Sequence, residues 1–149
     1  MKKILIAEDD QNKYDRISAF LITSLSSLEF KHVKSYQTAL KFLLSESWDI
    51  LLLDMSLPTY DITDNEDGYY FDAFAGRSIM MEMQRKSVFT STIIITQFES
   101  FGEGQERISL DELNQMLQRD FPKFYIDTIY YNPAQSDWKQ KLLQKMESL

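Results

Sequence analysis

The chain has 149 residues, with 16 lysines and arginines against 23 aspartates and glutamates, and it contains no cysteine. This length predicts one domain with its own core, and the lack of cysteine excludes disulfide frameworks, thiolate zinc sites and cysteine nucleophiles. Because the net charge is −7 and the apolar runs are short, we expect a protein that binds neither nucleic acid nor a membrane, and the lack of cysteine fits a reducing, cytoplasmic compartment.

Short apolar runs alternate along the chain with longer segments of helical period. This alternation predicts a parallel sheet that is covered by helices on both faces. The predicted strands are rich in apolar and β-branched residues, and in chain order they span residues 4–7, 30–33, 50–53, 92–95 and 124–131.

Apolar residues at helical spacing predict a helix after each strand. The first helix carries one apolar stripe, which consists of Tyr14, Ile17, Leu21, Leu25 and Leu28. Ser35 is the predicted N-cap of the second helix, which we expect to end at Ser47. The third helix is predicted from Ile79, Met80 and Met83, which recur at helical spacing.

Capping patterns predict where the last two helices begin. Ser109 and Glu112 have the spacing of a capping box, and Pro122 ends the helix that follows them. Ser136 and Asp137 are predicted to begin the fifth helix.

Five strand–helix units without an internal repeat are typical of a doubly wound α/β domain. Right-handed crossovers and the chain length favour a flavodoxin-like (βα)5 three-layer sandwich with a parallel sheet in the order 2-1-3-4-5. We expect a single domain over residues 1–149, with insertions near 59–76 and 99–110.

Acidic residues follow two strands that this order makes neighbours. Glu8, Asp9 and Asp10 come directly after the first strand, and Asp54 ends the third. Ligands of such sheets bind at this edge, where the strand order reverses. Converging carboxylates repel one another unless a cation lies among them, and an all-oxygen cluster with few protein ligands suits Mg²⁺.

Three segments of the chain resemble the receiver domains of two-component response regulators. They are KILIAEDD at residues 3–10, DILLLDMSLP at residues 49–58 and IIIT at residues 93–96. The resemblance covers the whole chain. It implies that Asp54 accepts a phosphoryl group from a phosphohistidine, so the partners would be a histidine kinase or a phosphotransfer protein and an unidentified downstream protein.

The resemblance also implies a metal site and a switch residue. Mg²⁺ would be coordinated by Asp9, Asp54 and the backbone carbonyl of Ser56, with Glu8 acting directly or through water. The hydroxyl of Thr96 would hydrogen-bond a phosphoryl oxygen. A carboxylate is a weak nucleophile toward an anionic phosphorus, so a metal that cancels charge is needed for the attack.

The end of the fifth strand departs from the family pattern. Members of the family carry a lysine followed by proline there, whereas this chain has Asn132 before Pro133. An amide can donate a hydrogen bond to a phosphoryl oxygen but supplies no charge. Lys123 precedes the strand and Lys139 lies a turn into the last helix, so neither is an obvious substitute.

The spacing of the motifs indicates inserted segments. Thr96 follows Asp54 by 42 positions, whereas a loop, a helix, a second loop and a strand need only about 25 to 30. The excess falls chiefly between Thr59 and Gly76, in a segment rich in acidic and aromatic residues. Asp61 to Gly68 does not fit a calcium-binding loop, because its register lacks the bidentate glutamate.

Three hypotheses follow. The first is an atypical single-domain receiver in which phosphorylation of Asp54 draws Thr96 inward and changes the face formed by the fourth helix, fifth strand and fifth helix. Its only chemistry would be phosphoryl transfer to its own Asp54 and autodephosphorylation. The alternative is a pseudo-receiver that binds a protein independently of phosphorylation. A small phosphatase is disfavoured, because Ser56 stands where a second aspartate would be needed.

Overall fold

The computed structural model describes residues 1–61 and 71–149. Much of the acidic and aromatic segment predicted as an insertion, including Asp64, Glu66, Asp67, Tyr69 and Tyr70, lies outside the described residues.

Five parallel strands form the central sheet. They are β1 Lys2–Ala7, β2 Leu28–Val33, β3 Ile50–Leu53, β4 Ser91–Thr96 and β5 Tyr125–Tyr130. Their order is β2-β1-β3-β4-β5, and every neighbouring pair is parallel. The predicted flavodoxin-like order is therefore confirmed, and the strand order reverses between β1 and β3.

Helices cover both faces of the sheet. They are α1 Gln11–Ser24, α2 Tyr36–Ser45, α3 Ala75–Arg85, α4 Leu110–Asp120 and α5 Asp137–Glu147. Helices α1 and α5 pack on the face that presents Ile4, Ile6 and Leu52, whereas α2, α3 and α4 pack on the face that presents Leu5 and Leu51. Successive strand residues point to opposite faces, so the fully apolar β3 contributes to both cores.

The predicted helix caps are largely confirmed. Ser35 and Ser109 each accept a hydrogen bond from the third residue of the helix that follows, in complete capping boxes. The predicted ends of two helices were wrong. Helix α2 ends at Ser45, and α1 ends at Ser24, so Leu28 lies in β2 instead of on the helical stripe.

Two short antiparallel ribbons lie at the carboxyl edge of the sheet. Leu57–Pro58 pairs with Phe71–Asp72 after β3, and Ser100–Phe101 pairs with Ile108–Ser109 after β4. The second ribbon lies within the insertion predicted near 99–110, whereas in the first only Phe71–Asp72 lies within the one predicted near 59–76, because Leu57–Pro58 precedes it. No helix in the described part of the chain is long and apolar enough to span a membrane.

Candidate functional site

The predicted acidic residues meet where β1 and β3 end. Ala7 and Leu53 are paired across the two strands, and the amide of Asp54 donates to the carbonyl of Ala7 at 3.0 Å. Glu8 and Asp54 are therefore carried to neighbouring positions, and only 2% and 3% of their surfaces are exposed. One carboxylate oxygen from each of Glu8, Asp9 and Asp54 lies within 4.8 Å of the others.

Burial and mutual repulsion raise the pKa of two of these carboxylates. Burial, followed by the charge of Asp54, raises the pKa of Glu8 to about 9. The same two causes raise the pKa of the half-buried Asp9 to about 6. The amide of Asp10 donates to Glu8 Oε1 at 3.3 Å, which stabilises the carboxylate but adds no charge. A cation bound here would favour the ionised form of all three groups.

Lys13 supplies one buried positive charge to the cluster. Its Nζ lies 2.9 Å from Glu8 Oε2 and 3.5 Å from Asp54 Oδ2, and it donates to the carbonyl of Ile95 at 2.7 Å. Burial lowers the pKa of Lys13, but the charges of Asp54 and Glu8 outweigh that effect, so its pKa is raised and the ammonium stays charged.

The start of helix α1 explains how Lys13 reaches the strand ends. Asp10 is the N-cap, and its side chain accepts hydrogen bonds from the amides of Asn12 and Lys13. Helical side chains lean toward the N-terminus, so a lysine in the first turn extends back toward the tips of β1 and β3. Ile17 and Leu21 continue the same buried face.

Sequence reasoning missed Lys13, although its position carried a signal. It lies four residues before Ile17 and eight before Leu21, which places it on the core-facing stripe of α1. A lysine on such a stripe, one turn beyond an acidic strand end, has no solvent to face and therefore needs a buried anionic partner.

Thr96 and Ser56 occupy the positions that the motifs predict. Thr96 ends β4, is fully buried, and its Oγ1 accepts the amide of Phe98 at 3.1 Å. Ser56 lies two residues beyond Asp54, and its Oγ donates to the carbonyl of Ala73 at 3.2 Å. The Ser56 amide lies 3.5 Å from Asp54 Oδ1. Metal ligation by the carbonyl of Ser56 stays a prediction.

The loop after β3 packs closely against the start of α3. The amide of Gly76 donates to the carbonyl of Met55 at 2.9 Å, and a Cβ at Gly76 would lie only 2.9 Å from the carbonyl oxygen of Asp54. Glycine is therefore required by this close approach of two backbones. Helix α3 in this way fixes the segment that presents the Asp54 side chain.

Asn132 helps to form the turn between β5 and α5. Its Oδ1 accepts the amide of Ala134 at 2.9 Å, and its carbonyl accepts the amide of Gln135 at 3.1 Å. The preceding Tyr131 packs against Trp138, and its ring centroid lies 5.7 Å from the Nζ of Lys13. A contact of Asn132 with a phosphoryl group stays a prediction, whereas the ammonium of Lys13 already lies beside Asp54.

His32 has a structural position next to the site. Its ring stacks on Tyr14 with centroids 3.6 Å apart, and its Nε2 lies 2.7 Å from the carbonyl oxygen of Glu8. Burial lowers the pKa of His32, which favours the neutral ring. With Nε2 protonated, this ring would donate to the Glu8 carbonyl and hold the end of β1.

The donor set suits a hard divalent cation. When all three carboxylates are ionised they carry three negative charges, and Lys13 offsets one of them. Two charges then remain for a bound ion to neutralise, and oxygen donors of this kind are preferred by such ions. Asp9 also lines a cavity of about 560 Å³, together with His32 and Lys34 among other residues.

Comparisons with known proteins agree with this fold. No family model matches the chain. The Detocs response regulatory protein DtcB of Enterobacter cloacae is 31% identical over 150 residues, which cover 99% of each protein.

Solved structures of receiver domains share the fold. The phosphorylated cyanobacterial phytochrome response regulator RcpA is 19% identical, with a TM-score of 0.67 over 98% of this chain and 91% of that one. The response regulator TrrA of Thermotoga maritima in complex with Mg²⁺-BeF is 17% identical, with a TM-score of 0.59 over 98% and 99% of the two chains. The chain therefore belongs to the response regulators of two-component signalling and folds as a receiver domain.

Proposed function

We propose that this receiver accepts a phosphoryl group on Asp54 with the help of Mg²⁺. One observation carries the proposal: carboxylate oxygens of Glu8, Asp9 and Asp54 lie within 4.8 Å of one another. Asp54 is buried, and its carboxylate also lies beside the ammonium of Lys13. Glu8, Asp9, Asp54 and the carbonyl of Ser56 would hold the metal. RcpA, described as phosphorylated, and TrrA, in complex with Mg²⁺-BeF, share the fold and support this assignment.

The chemical step is a transfer from a phosphohistidine of a histidine kinase or phosphotransfer protein. A carboxylate oxygen of Asp54 forms a bond to phosphorus while the phosphorus–nitrogen bond breaks. The imidazole nitrogen keeps the electron pair of that bond and takes up a proton from solvent, which leaves neutral histidine. When bound, Mg²⁺ neutralises charge on the carboxylates and on the transferred group.

The residues of the chain perform the remaining tasks. The pairing of β1 with β3 orients Asp54, and the close contact with Gly76 prevents its loop from shifting. The Oγ1 of Thr96 accepts from Phe98 in this structure and retains its proton, so the same hydroxyl can donate to a phosphoryl oxygen.

The signal would leave the site through the segment that follows β4. Phe98 is 42% exposed and lies just before the Ser100–Phe101 ribbon strand, whose partner strand Ile108–Ser109 leads directly into α4. A shift of Thr96 would therefore be transmitted to the face formed by α4, β5 and α5. We propose that a downstream protein binds this face when the phosphorylated conformation is more populated.

Intact-mass measurement with a small phosphodonor tests the proposal. The wild-type chain, incubated with acetyl phosphate and Mg²⁺, should gain the mass of one phosphoryl group. Asp54→Asn should abolish that gain, and the exposed Asp15→Asn should not. Chelation of Mg²⁺ should also abolish it. No gain in the wild-type chain at high donor and Mg²⁺ concentrations would refute the proposal.

A phosphorylation-independent pseudo-receiver is the second candidate, and one observation favours it. The ammonium of Lys13 already offsets part of the charge between Glu8 and Asp54, so the folded site needs no phosphoryl group to reach its present arrangement. This candidate predicts no gain in mass under the same conditions, together with partner binding that Asp54→Asn leaves unchanged.

A further inference from the structure

The ammonium beside Asp54 is held from three sides. Its acceptors are Glu8 at the end of β1, Asp54 at the end of β3 and the carbonyl of Ile95 in β4. These three strands are consecutive in the sheet, so the Nζ of Lys13 lies across the tip of the middle one, directly over the residue that would be phosphorylated. A lysine of helix α1 therefore reaches the centre of the site.

The contact with Asp54 is the longest of the three. The distance from Nζ to Asp54 Oδ2 is 3.5 Å, against 2.9 Å to Glu8 Oε2 and 2.7 Å to the carbonyl of Ile95. The two shorter contacts anchor the ammonium while Asp54 is only loosely engaged. A group bonded to Asp54 would bring further anionic oxygens toward this fixed charge, where a charge-assisted hydrogen bond can form.

Lys13 also lies beside a small cavity. A cavity of about 140 Å³ is lined by Lys13, Gln97 and Tyr131, among other residues. Among the described residues, the buried Oε1 of Gln97 and the buried hydroxyl of Tyr131 have no hydrogen-bond partner. Lys13 therefore borders a small space whose lining includes polar side chains.

We propose that Lys13 is the residue that contacts and neutralises the phosphoryl group on Asp54. This role rests on the proposed phosphorylation of Asp54 and adds the residue that supplies its positive charge. The ammonium stays anchored to Ile95 and Glu8, and one of its N–H groups turns to a phosphoryl oxygen. In this arrangement Lys13 and a bound metal ion would both contact the carboxylates of Glu8 and Asp54.

Charge removal and charge relocation test this role. Lys13→Met removes the ammonium and keeps the length of the side chain, and Lys13→Gln also keeps a donor for the carbonyl of Ile95. Adding Asn132→Lys to Lys13→Met returns a positive charge from the end of β5. Lys141→Met, on the exposed side of α5, changes the net charge equally and is the matched control.

Two quantities are measured for each variant. The first is the rate of phosphoryl gain from acetyl phosphate in saturating Mg²⁺, followed by intact mass. The second is the affinity for Mg²⁺ alone, measured by calorimetry. Circular dichroism confirms folding, and Lys13→Gln replaces Lys13→Met if the latter does not fold.

Loss of a charge-assisted contact should slow phosphoryl gain about 10-fold or more in Lys13→Met, and the added Asn132→Lys should recover most of that rate. Mg²⁺ should bind Lys13→Met more tightly, by about fivefold or more, because a neighbouring positive charge is gone. Lys141→Met should match the wild-type chain in both measurements.

The outcomes separate the two proposals. Phosphoryl gain in the wild-type chain with an unchanged rate in Lys13→Met would overturn the role of Lys13 and leave phosphorylation standing. A slower rate with weaker Mg²⁺ binding would show that Lys13 only holds the carboxylates in place, which also overturns the proposal. No gain in the wild-type chain would overturn both.

Discussion

Replacement of Gly76 by alanine should destabilise the protein, although the same change in most helices is stabilising. Gly76 is the second residue of α3 and faces the loop that carries Asp54. A Cβ there would lie 2.9 Å from the carbonyl oxygen of Asp54 and 3.0 Å from the Cα of Met55. Both are backbone atoms, so the clash cannot be relieved by rotation of a side chain.

The magnitude follows from two opposing effects. Alanine in place of glycine within a helix stabilises by up to about 1 kcal/mol, and less near the N-terminus. Overpacking against a closely packed neighbour costs about 1–3 kcal/mol. We expect a net loss of about 1–2 kcal/mol, which lowers the melting temperature of a chain of this size by about 2–8 °C.

Chemical denaturation measures the loss in unfolding free energy, and the rate of phosphoryl gain measures the displacement of Asp54. Ser78→Ala is the matched control, because it lies two residues further along the same helix and removes one hydroxyl. A Gly76→Ala chain that is as stable as wild type and gains the phosphoryl group equally fast would refute the view that this contact fixes the Asp54 loop.

Three further predictions concern the site and its surroundings. Mg²⁺ at 100 times its Kd should stabilise the fold by about 2.7 kcal/mol, and a melting temperature that does not depend on Mg²⁺ would contradict the metal site. Ser35→Ala removes the complete capping box of α2 and should lower the unfolding free energy by about 1 kcal/mol in denaturant titrations, whereas an unchanged midpoint would show that the cap contributes little. Tyr131→Phe removes a buried hydroxyl that has no partner among the described residues, so stability should be unchanged or higher by up to about 1 kcal/mol, and a marked loss would reveal a missed hydrogen bond.

Hydrophobic patterning was sufficient to predict the sheet, because a central parallel strand must be apolar on both faces. The run Ile50–Leu53 has this property, and its bounds were predicted correctly. The end of α1 was harder to predict. Leu25 and Leu28 continue the helical spacing, but Ser27 has a φ of 61°, and the chain turns there into β2. Helical spacing alone does not reveal such a turn.

The two ribbons left no comparable signal in the sequence. Each pairs only two residues per strand, which is too short for an alternating pattern. The acidic cluster could be predicted, because its members directly follow strands whose neighbours are set by the fold. Lys13 could not be predicted by the same reasoning, since lysines on a helix are usually assigned to the solvent-exposed face.

Lys13 changes how the substitution at the end of β5 is interpreted. In the sequence, Asn132 stands where members of the family carry a lysine. The site therefore lacks that positive charge, which favours loss of phosphorylation. Judged by the folded site, an ammonium still lies 3.5 Å from Asp54, and it reaches that place from α1. Electrostatic neutralisation depends on where a charge lies and not on which element carries it. With all three carboxylates ionised and one ammonium beside them, two negative charges remain, which matches the charge of one divalent ion. The charge of the site is thus compatible with phosphoryl transfer despite the asparagine, and phosphoryl gain in the wild-type chain and in the Lys13 variants decides the question.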